Sequence, residues 1–363
     1  MAPGRRCTTL LVALVLPLLG SEQRGRGRDD AKLPAFDDEV LWQDLRSTPG
    51  HGGQCSSGNL TTLVLEAGGV KGIAYSGSAC ALEAAGLLPG ITTFRGTSAG
   101  AIAAALLAAG YDCDALHAAM WKVDFSEFLS DGLIASLDNA RSSFGLYDGR
   151  RIERHVGRLL EARLGAGTAG ITFAELYRRT GKELQLTATS LTTSRLVYFD
   201  AERTPDVPVA KAVRASASIP LLFTPCEIDG QLFVDGGVLR SMPVNEPSRG
   251  AASADGGAVM ALGLRSMILL GDELPVYSLS EFVTRLYKTV VWGPDSANSL
   301  LETRQANVEY LPIDTAGVGG RDFHLSDEQK RELVRSGWLT VMGKLLQCDR
   351  ARWPDVARAA TRR

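Results

Sequence analysis

Histidine is scarce in this 363-residue chain, which holds only His51, His117, His155 and His324. None of the four follows a late strand candidate, where a histidine would complete a serine triad, so each reads as a surface or core residue. Metal-type spacing is missing as well. The six cysteines, Cys7, Cys55, Cys80, Cys113, Cys226 and Cys348, are scattered. With no Cys-x-x-Cys pair and no Cys/His cluster, a zinc site is not expected. A chain this long does not demand a disulfide framework, and the apolar surroundings of Cys80 and Cys226 predict buried thiols. Charge of one sign is lacking too: 39 Lys and Arg against 41 Asp and Glu leave a net −2, unlike the basic surplus of a nucleic-acid binder. No internal repeat and no cofactor motif is found, so neither a metal nor a cofactor is expected.

The apolar run at Cys7 to Leu19, behind the basic start at Arg5 and Arg6, is too short to span a bilayer comfortably. It fits the core of a signal peptide. Leu18-Leu19-Gly20-Ser21 is a poor cleavage site, so a secretory signal, an uncleaved anchor, an organelle transit peptide and a plain extension all stay open. Residues 1–20 are thus a signal or anchor candidate. Residues 21–60, polar and rich in glycine and charge, read as a tether with one short helix at Asp37 to Leu45. The remainder has an ordinary globular composition, at 45% hydrophobic and 22% charged over the whole chain.

What the chain does have is glycine next to chemistry, in three places. Phe94-Arg95-Gly96-Thr97-Ser98-Ala99-Gly100 reads Gly-x-Ser-x-Gly ahead of a small, aliphatic helix. This is the form of a nucleophile elbow, with Gly96 and Gly100 letting the backbone bend and pack closely. Upstream, the strand candidate Thr62 to Glu66 runs into Ala67-Gly68-Gly69-Val70-Lys71-Gly72 and a helix, a loop whose N–H groups suit an anion. Downstream, the strand candidate Gln231 to Val234 ends in Asp235-Gly236-Gly237, a carboxylate placed above a sheet. Asp255-Gly256-Gly257 repeats that last motif, but it follows an alanine- and serine-rich stretch rather than a strand. Asp235 is the favoured base.

These stretches resemble the patatin-like lipid acyl hydrolases, or patatin-like phospholipases. The resemblance runs from about Leu63 to Asn245 and includes Arg214-Ala215-Ser216-Ala217-Ser218-Ile219-Pro220 and Met242-Pro243-Val244-Asn245. It implies a Ser98–Asp235 dyad and an oxyanion hole at Gly68, Gly69, Val70, Lys71 and Gly72. It further implies a phospholipid or other acylglycerol substrate, met at a membrane surface. One departure is Ala67, where the family usually has glycine; a positive φ there would penalise alanine. The backbone N–H of Lys71 is expected to matter more than its ammonium. Glu66 reads as a strand-end residue in solvent, and Arg214 as a support for the base-bearing segment.

The rest of the chain alternates strand and helix. Helices are expected at 73–85, 99–109, 150–164 and 210–216, and strands at 91–95, 183–191, 196–199, 259–264 and 308–313. Leu146 to Gly149 reads as a turn, and a helix is expected from Ser326 to Gly337. Trp121, Phe125 and Phe128 share a helical face and read as core or lid packing, with 121–137, including Leu129, Leu133 and Ile134, as the candidate mouth. The expected fold is a three-layer α/β/α domain around a mostly parallel sheet. Residues 61–248 would be its catalytic core and 249–363 a mainly helical completion. The expected function is hydrolysis of lipid carboxylic esters at a membrane. The location is secretory or anchored if the apolar run is a signal, and organellar or cytoplasmic otherwise. Three rivals stand beside it: a dinucleotide-binding protein, which the missing first glycine and the lysine in the loop disfavour; an esterase with a Ser-His-Asp triad; and an inactive lipid-binding relative.

Overall fold

The computed structural model describes residues 60–123, 125–129, 139, 142–244, 257–265, 307–320 and 322–348. The apolar run, the tether, the helix at 37–45, Asn245, Asp255, Leu133 and Ile134 lie outside the described residues. In chain order the described elements begin with β1 (Leu60–Leu65), a 3-10 turn (Gly69–Ile73), α1 (Ala74–Ala84), β2 (Thr93–Thr97) and α2 (Ala99–Ala108). Next come α3 (Cys113–Trp121), β3 (Gly145–Tyr147), α4 (Arg150–Leu164), α5 (Phe173–Thr180), β4 (Glu183–Ser190), β5 (Arg195–Phe199) and α6 (Val209–Ser216). Then follow β6 (Leu221–Phe223), β7 (Cys226–Ile228), β8 (Gln231–Asp235), β9 (Ala258–Arg265), β10 (Val308–Asp314) and α7 (Asp327–Cys348).

The main sheet runs β10-β9-β1-β2-β4-β8-β7, with β5 also paired to β4. Its strands are parallel from β10 through β4. β5 and β8 run antiparallel to β4, and β7 antiparallel to β8. The last four residues of β1 and all of β2 are buried, as expected of parallel strands covered on both faces. Helices flank this sheet, so the expected layered α/β architecture holds. α2, alanine- and leucine-rich on every side, is buried nearly all round. α4 instead is amphipathic, burying Ile152, Val156 and Leu160 and turning its arginines outward. Among the described residues no helix is long and apolar enough to cross a membrane.

Most expected elements are present within a residue or two. Thr172 caps α5 by accepting the Glu175 N–H at 3.3 Å. Three short strands were not foreseen. β3 replaces the turn expected at Leu146 and pairs with β6, while β7 leads into β8; three residues are too few to show a period. The helical region that holds Trp121, Phe125 and Phe128 is not one helix: α3 ends at Trp121, capped by Lys122, and Phe125–Leu129 is a 3-10 turn. Trp121 therefore does not share one helical face with Phe125 and Phe128, whose rings meet edge to face in the core.

α7 runs eleven residues past Gly337. That glycine does not end the helix; it lets the helix approach another. A Cβ there would sit 2.0 Å from the Ala74 carbonyl oxygen, and one at Gly77 would sit 1.9 Å from that of Val334. α1 and α7 thus touch backbone to backbone, with Trp338 fully buried at the seam. Ser326 caps α7 reciprocally with Gln329: its Oγ accepts the Gln329 N–H at 3.2 Å and its own N–H reaches Gln329 Oε1 at 2.9 Å. The box partner is Gln329, three residues after the cap.

Cys80 is not a free thiol. It forms a disulfide with Cys113, joining α1 to the start of α3 across a Cα–Cα distance of 4.5 Å. Cys226 is the buried thiol that was expected, with burial pushing it up to about 11.

Candidate active site

β2 ends at Thr97 and α2 begins at Ala99, so Ser98 must turn the chain alone. It does so at φ 55°, ψ −118°, a conformation that L side chains rarely hold and that clusters where function requires it. The flanking glycines make room. A Cβ at Gly96 would fall 2.3 Å from the Gly100 oxygen, and one at Gly100 would fall 2.1 Å from the Leu65 oxygen. Any larger residue at either position would push β1, β2 and α2 apart. Ser98 points its Oγ over the sheet at the positive end of α2, where a developing negative charge is favoured.

β8 delivers the partner. Pairing of Asp235 with Ala188 of β4 sets its height above the sheet. Ser98 Oγ donates to Asp235 Oδ2 at 2.6 Å. The other oxygen, Oδ1, accepts the Gly237 N–H at 2.7 Å. Gly236 lies against the Thr187 carbonyl oxygen, which a Cβ would approach to 2.5 Å. Behind the pair, the hydroxyls of Thr97 and Thr187 are 2.6 Å apart. Both side chains are buried, Ser98 at 4% and Asp235 at 2% exposure. The backbone N–H of Ser98 donates to Ser216 Oγ at 2.8 Å, and that of Asp235 to the Ser218 carbonyl at 2.8 Å.

The histidines stand elsewhere. His117 lies against Ser76 and Trp121, and His155 against the ring of Phe128, where burial holds it below the ordinary imidazole range. His324 is exposed, and His51 is outside the described residues.

The loop after β1 narrows the set of anion donors. Gly69 takes φ 59°, which demands glycine. Gly68 is extended, and its missing side chain leaves space that Leu264 fills. Val70 gives its N–H to the Gly320 carbonyl at 3.1 Å. The N–H groups of Lys71 and Gly72 fall inside the 3-10 ladder of Gly69–Ile73. This leaves Gly68 and Gly69 at the open end of the turn, and Ala99 at the open N-terminus of α2, with N–H groups that no intrahelical bond takes up. Ala99 was not foreseen as a candidate donor, although its place directly after Ser98 of the Gly-x-Ser-x-Gly stretch is the signal for one. Ala67 has no positive φ, so the expected penalty does not arise; its N–H donates to the Ser241 carbonyl at 2.9 Å.

Lys71 and Glu66 are built into the fold rather than set in solvent. Lys71 Nζ donates to the Leu264 carbonyl at 3.1 Å, and burial lowers its pKa while Glu66 partly opposes that shift. Glu66 is buried, pairs with Arg265 at 3.2 Å and accepts the Leu264 N–H at 2.7 Å. Arg214 supports its segment as expected, through Glu153 of α4 at 3.3 Å.

Comparison with known proteins places the chain in a family and a fold. Residues 63–247 match the family model described as Patatin-like phospholipase. The chain is 32% identical over 292 residues to an uncharacterised protein, YqhO, of Bacillus subtilis, covering 76% of this chain and 94% of that protein. It is 30% identical over 184 residues to the probable lipid hydrolase 463L of Invertebrate iridescent virus 6, covering 51% of this chain and 62% of that protein. Among solved structures, VipD from Legionella pneumophila shares the fold with a TM-score of 0.56 at 17% identity, over 92% of this chain and 72% of that one.

Proposed function

The chain belongs to the patatin-like phospholipase family, and from that premise we propose that it is a phospholipase A- or lysophospholipase-type acyl hydrolase working through a Ser98–Asp235 dyad. The observation that carries this reading is the 2.6 Å hydrogen bond from Ser98 Oγ to Asp235 Oδ2. In the proposed reaction Ser98 Oγ attacks the ester carbonyl as Asp235 takes its proton. The tetrahedral oxyanion rests against the N–H groups of Gly68, Gly69 and Ala99, each such donor contributing about 10²–10³ in rate. The C–O bond then breaks, Asp235 returns the proton to the leaving alcohol, and Ser98 keeps the acyl group. Water, deprotonated by Asp235, attacks the acyl-enzyme; the acyl–Oγ bond breaks, Asp235 returns the proton to Ser98 Oγ, and the fatty acid leaves.

Access from a lipid surface is supported by exposed apolar side chains near the site. Leu239 follows the base by four residues, and Leu221 follows Ser218 by three. Phe144, 66% exposed, sits beside Leu221 through the pairing of Gly145 with Leu221. α4, which starts just beyond β3, exposes Arg150, Arg154 and Arg158 at one-turn spacing, with Arg150 also paired to Asp148. That mixture suits an anionic bilayer. Binding to phosphatidylcholine vesicles is expected to strengthen when phosphatidylserine is added; indifference to it would contradict this docking face.

The Cys80–Cys113 disulfide and the apolar run at Cys7 to Leu19 support an oxidising, secretory location. Alkylation of the protein taken from cells should spare both cysteines until a reductant is added.

The test of function is product analysis on a mixed-acyl phosphatidylcholine. The full chain is expected to release fatty acid, and Ser98→Ala and Asp235→Asn are expected to abolish release. Release that survives Ser98→Ala would refute the mechanism.

A further inference from the structure

One short segment holds both halves of the dyad. Ser216, fully buried at the end of α6, accepts the Ser98 N–H on its Oγ at 2.8 Å. Two residues on, the Ser218 carbonyl accepts the Asp235 N–H, also at 2.8 Å. The Ser218 hydroxyl donates back to the Arg214 carbonyl at 2.8 Å. The Arg214 guanidinium is in turn held by Glu153 and reaches the Pro225 carbonyl at 3.5 Å. The segment 214–218 is therefore anchored at its base and grips the nucleophile and the base from one side.

The nucleophile needs such a grip. A non-glycine residue at φ 55° persists only where its surroundings over-determine it. On the carbonyl side of Ser98, α2 supplies the constraint: the Ser98 oxygen takes the N–H groups of Ala101 at 2.9 Å and Ile102 at 3.2 Å. On the amide side the acceptor is the Ser216 hydroxyl, donated by a different part of the chain 118 residues away. Rotation about φ swings the Ser98 side chain, so the hydrogen bond that fixes φ also fixes where Oγ points.

We propose that Ser216 is a positioning residue for the hydrolysis, its hydroxyl fixing the backbone of Ser98 and thereby the aim of Ser98 Oγ at Asp235 and at the ester carbonyl. The inference rests on the reading of Ser98 and Asp235 as a hydrolytic dyad. It predicts an effect on turnover per site rather than on how many molecules fold. A displacement of the reacting atoms by about 1 Å can cost about 10²-fold in rate. The loss of one buried N–H···O bond sits at or below that scale.

The experiment follows p-nitrophenyl butyrate hydrolysis by the full chain, with active sites counted by irreversible fluorophosphonate labelling. In Ser216→Ala, kcat per labelled site is expected to fall about 10- to 100-fold. KM should move little and the labelled fraction should stay full. Ser216→Cys keeps the shape but offers a weak sulfur acceptor and is expected to fall between the two. A residue that merely supported the fold would do the reverse, lowering melting temperature and labelled fraction while leaving kcat per site intact. That result, or equal turnover in all three proteins, overturns the role of Ser216 alone. If the parent takes no label and hydrolyses nothing, the hydrolase reading falls, and this role with it.

Discussion

Several glycines in this molecule press against a carbonyl, and two pairs of them serve different ends. At the elbow, Gly96 and Gly100 bring β1, β2 and α2 into backbone contact. At the far seam, Gly77 and Gly337 do the same for α1 and α7. The clearances are almost equal, at 2.1 to 2.3 Å for the first pair and 1.9 to 2.0 Å for the second. Only the elbow holds a residue in a strained conformation, Ser98 at φ 55°, with a buried carboxylate on its hydroxyl. Close packing alone is thus no mark of a site. Close packing that confines a strained serine beside a buried acid is what sets the candidate site apart.

Substitution separates the two roles, and the largest effect is expected at the elbow. In Gly100→Ala the added methyl must move Leu65 or α2, so activity per folded molecule should fall by more than about 100-fold, alongside a stability loss of about 1–3 kcal/mol. Gly337→Ala should lose a similar 1–3 kcal/mol, roughly, in chemical denaturation, yet keep nearly full activity in the folded fraction. Equal activity losses in both variants would erase the distinction.

Three effects on stability alone, with activity per folded molecule kept, sharpen the picture of the α1 side. Trp338→Ala should cost about 3–5 kcal/mol of stability, by removal of a fully buried indole. Reduction of the Cys80–Cys113 disulfide, which closes a loop with a sequence separation of 33, should cost about 2–4 kcal/mol. Melting curves with and without reductant read this directly. Ser326→Ala, which removes one arm of the α7 capping box, should cost about 1 kcal/mol.

The smallest expected effect is on pH dependence. Burial depresses the pKa of His155 in the folded state, so the unfolded chain binds the proton more readily. Its contribution is complete above the unfolded value of about 6.5 and is lost as pH falls below it. His155→Gln should flatten that part of the stability profile. An unchanged slope would show that His155 takes its proton equally in both states.

The same contrast explains what could be read in advance. Ser98, Asp235 and their glycines were legible because elbow and base each need a fixed local spacing, and β1, β2 and β8 lead into them with clear apolar runs. Ser216 was visible only as part of a family stretch, since its partner is a backbone N–H far away in the chain and no residue type advertises that bond. Val70 and Lys71 looked like anion donors from the loop alone. Their N–H groups proved to be engaged, one by Gly320 and one by the 3-10 ladder, and Gly320 lies beyond the stretch that carries the motifs. Cys80 and Cys113 gave no sign of pairing because a disulfide depends on how α1 and α3 pack, not on a spacing rule. Gly337 misled in the opposite direction: glycine commonly ends a helix, and here it admits a neighbour instead.

The most direct test of the dyad is to map the covalent adduct left by a fluorophosphonate on the full chain and on its Asp235→Asn variant. The account predicts a single adduct on Ser98, formed at least about 10²-fold more slowly when Asp235 cannot take the proton. An adduct on another residue, or labelling of Ser98 at an undiminished rate in Asp235→Asn, would contradict it.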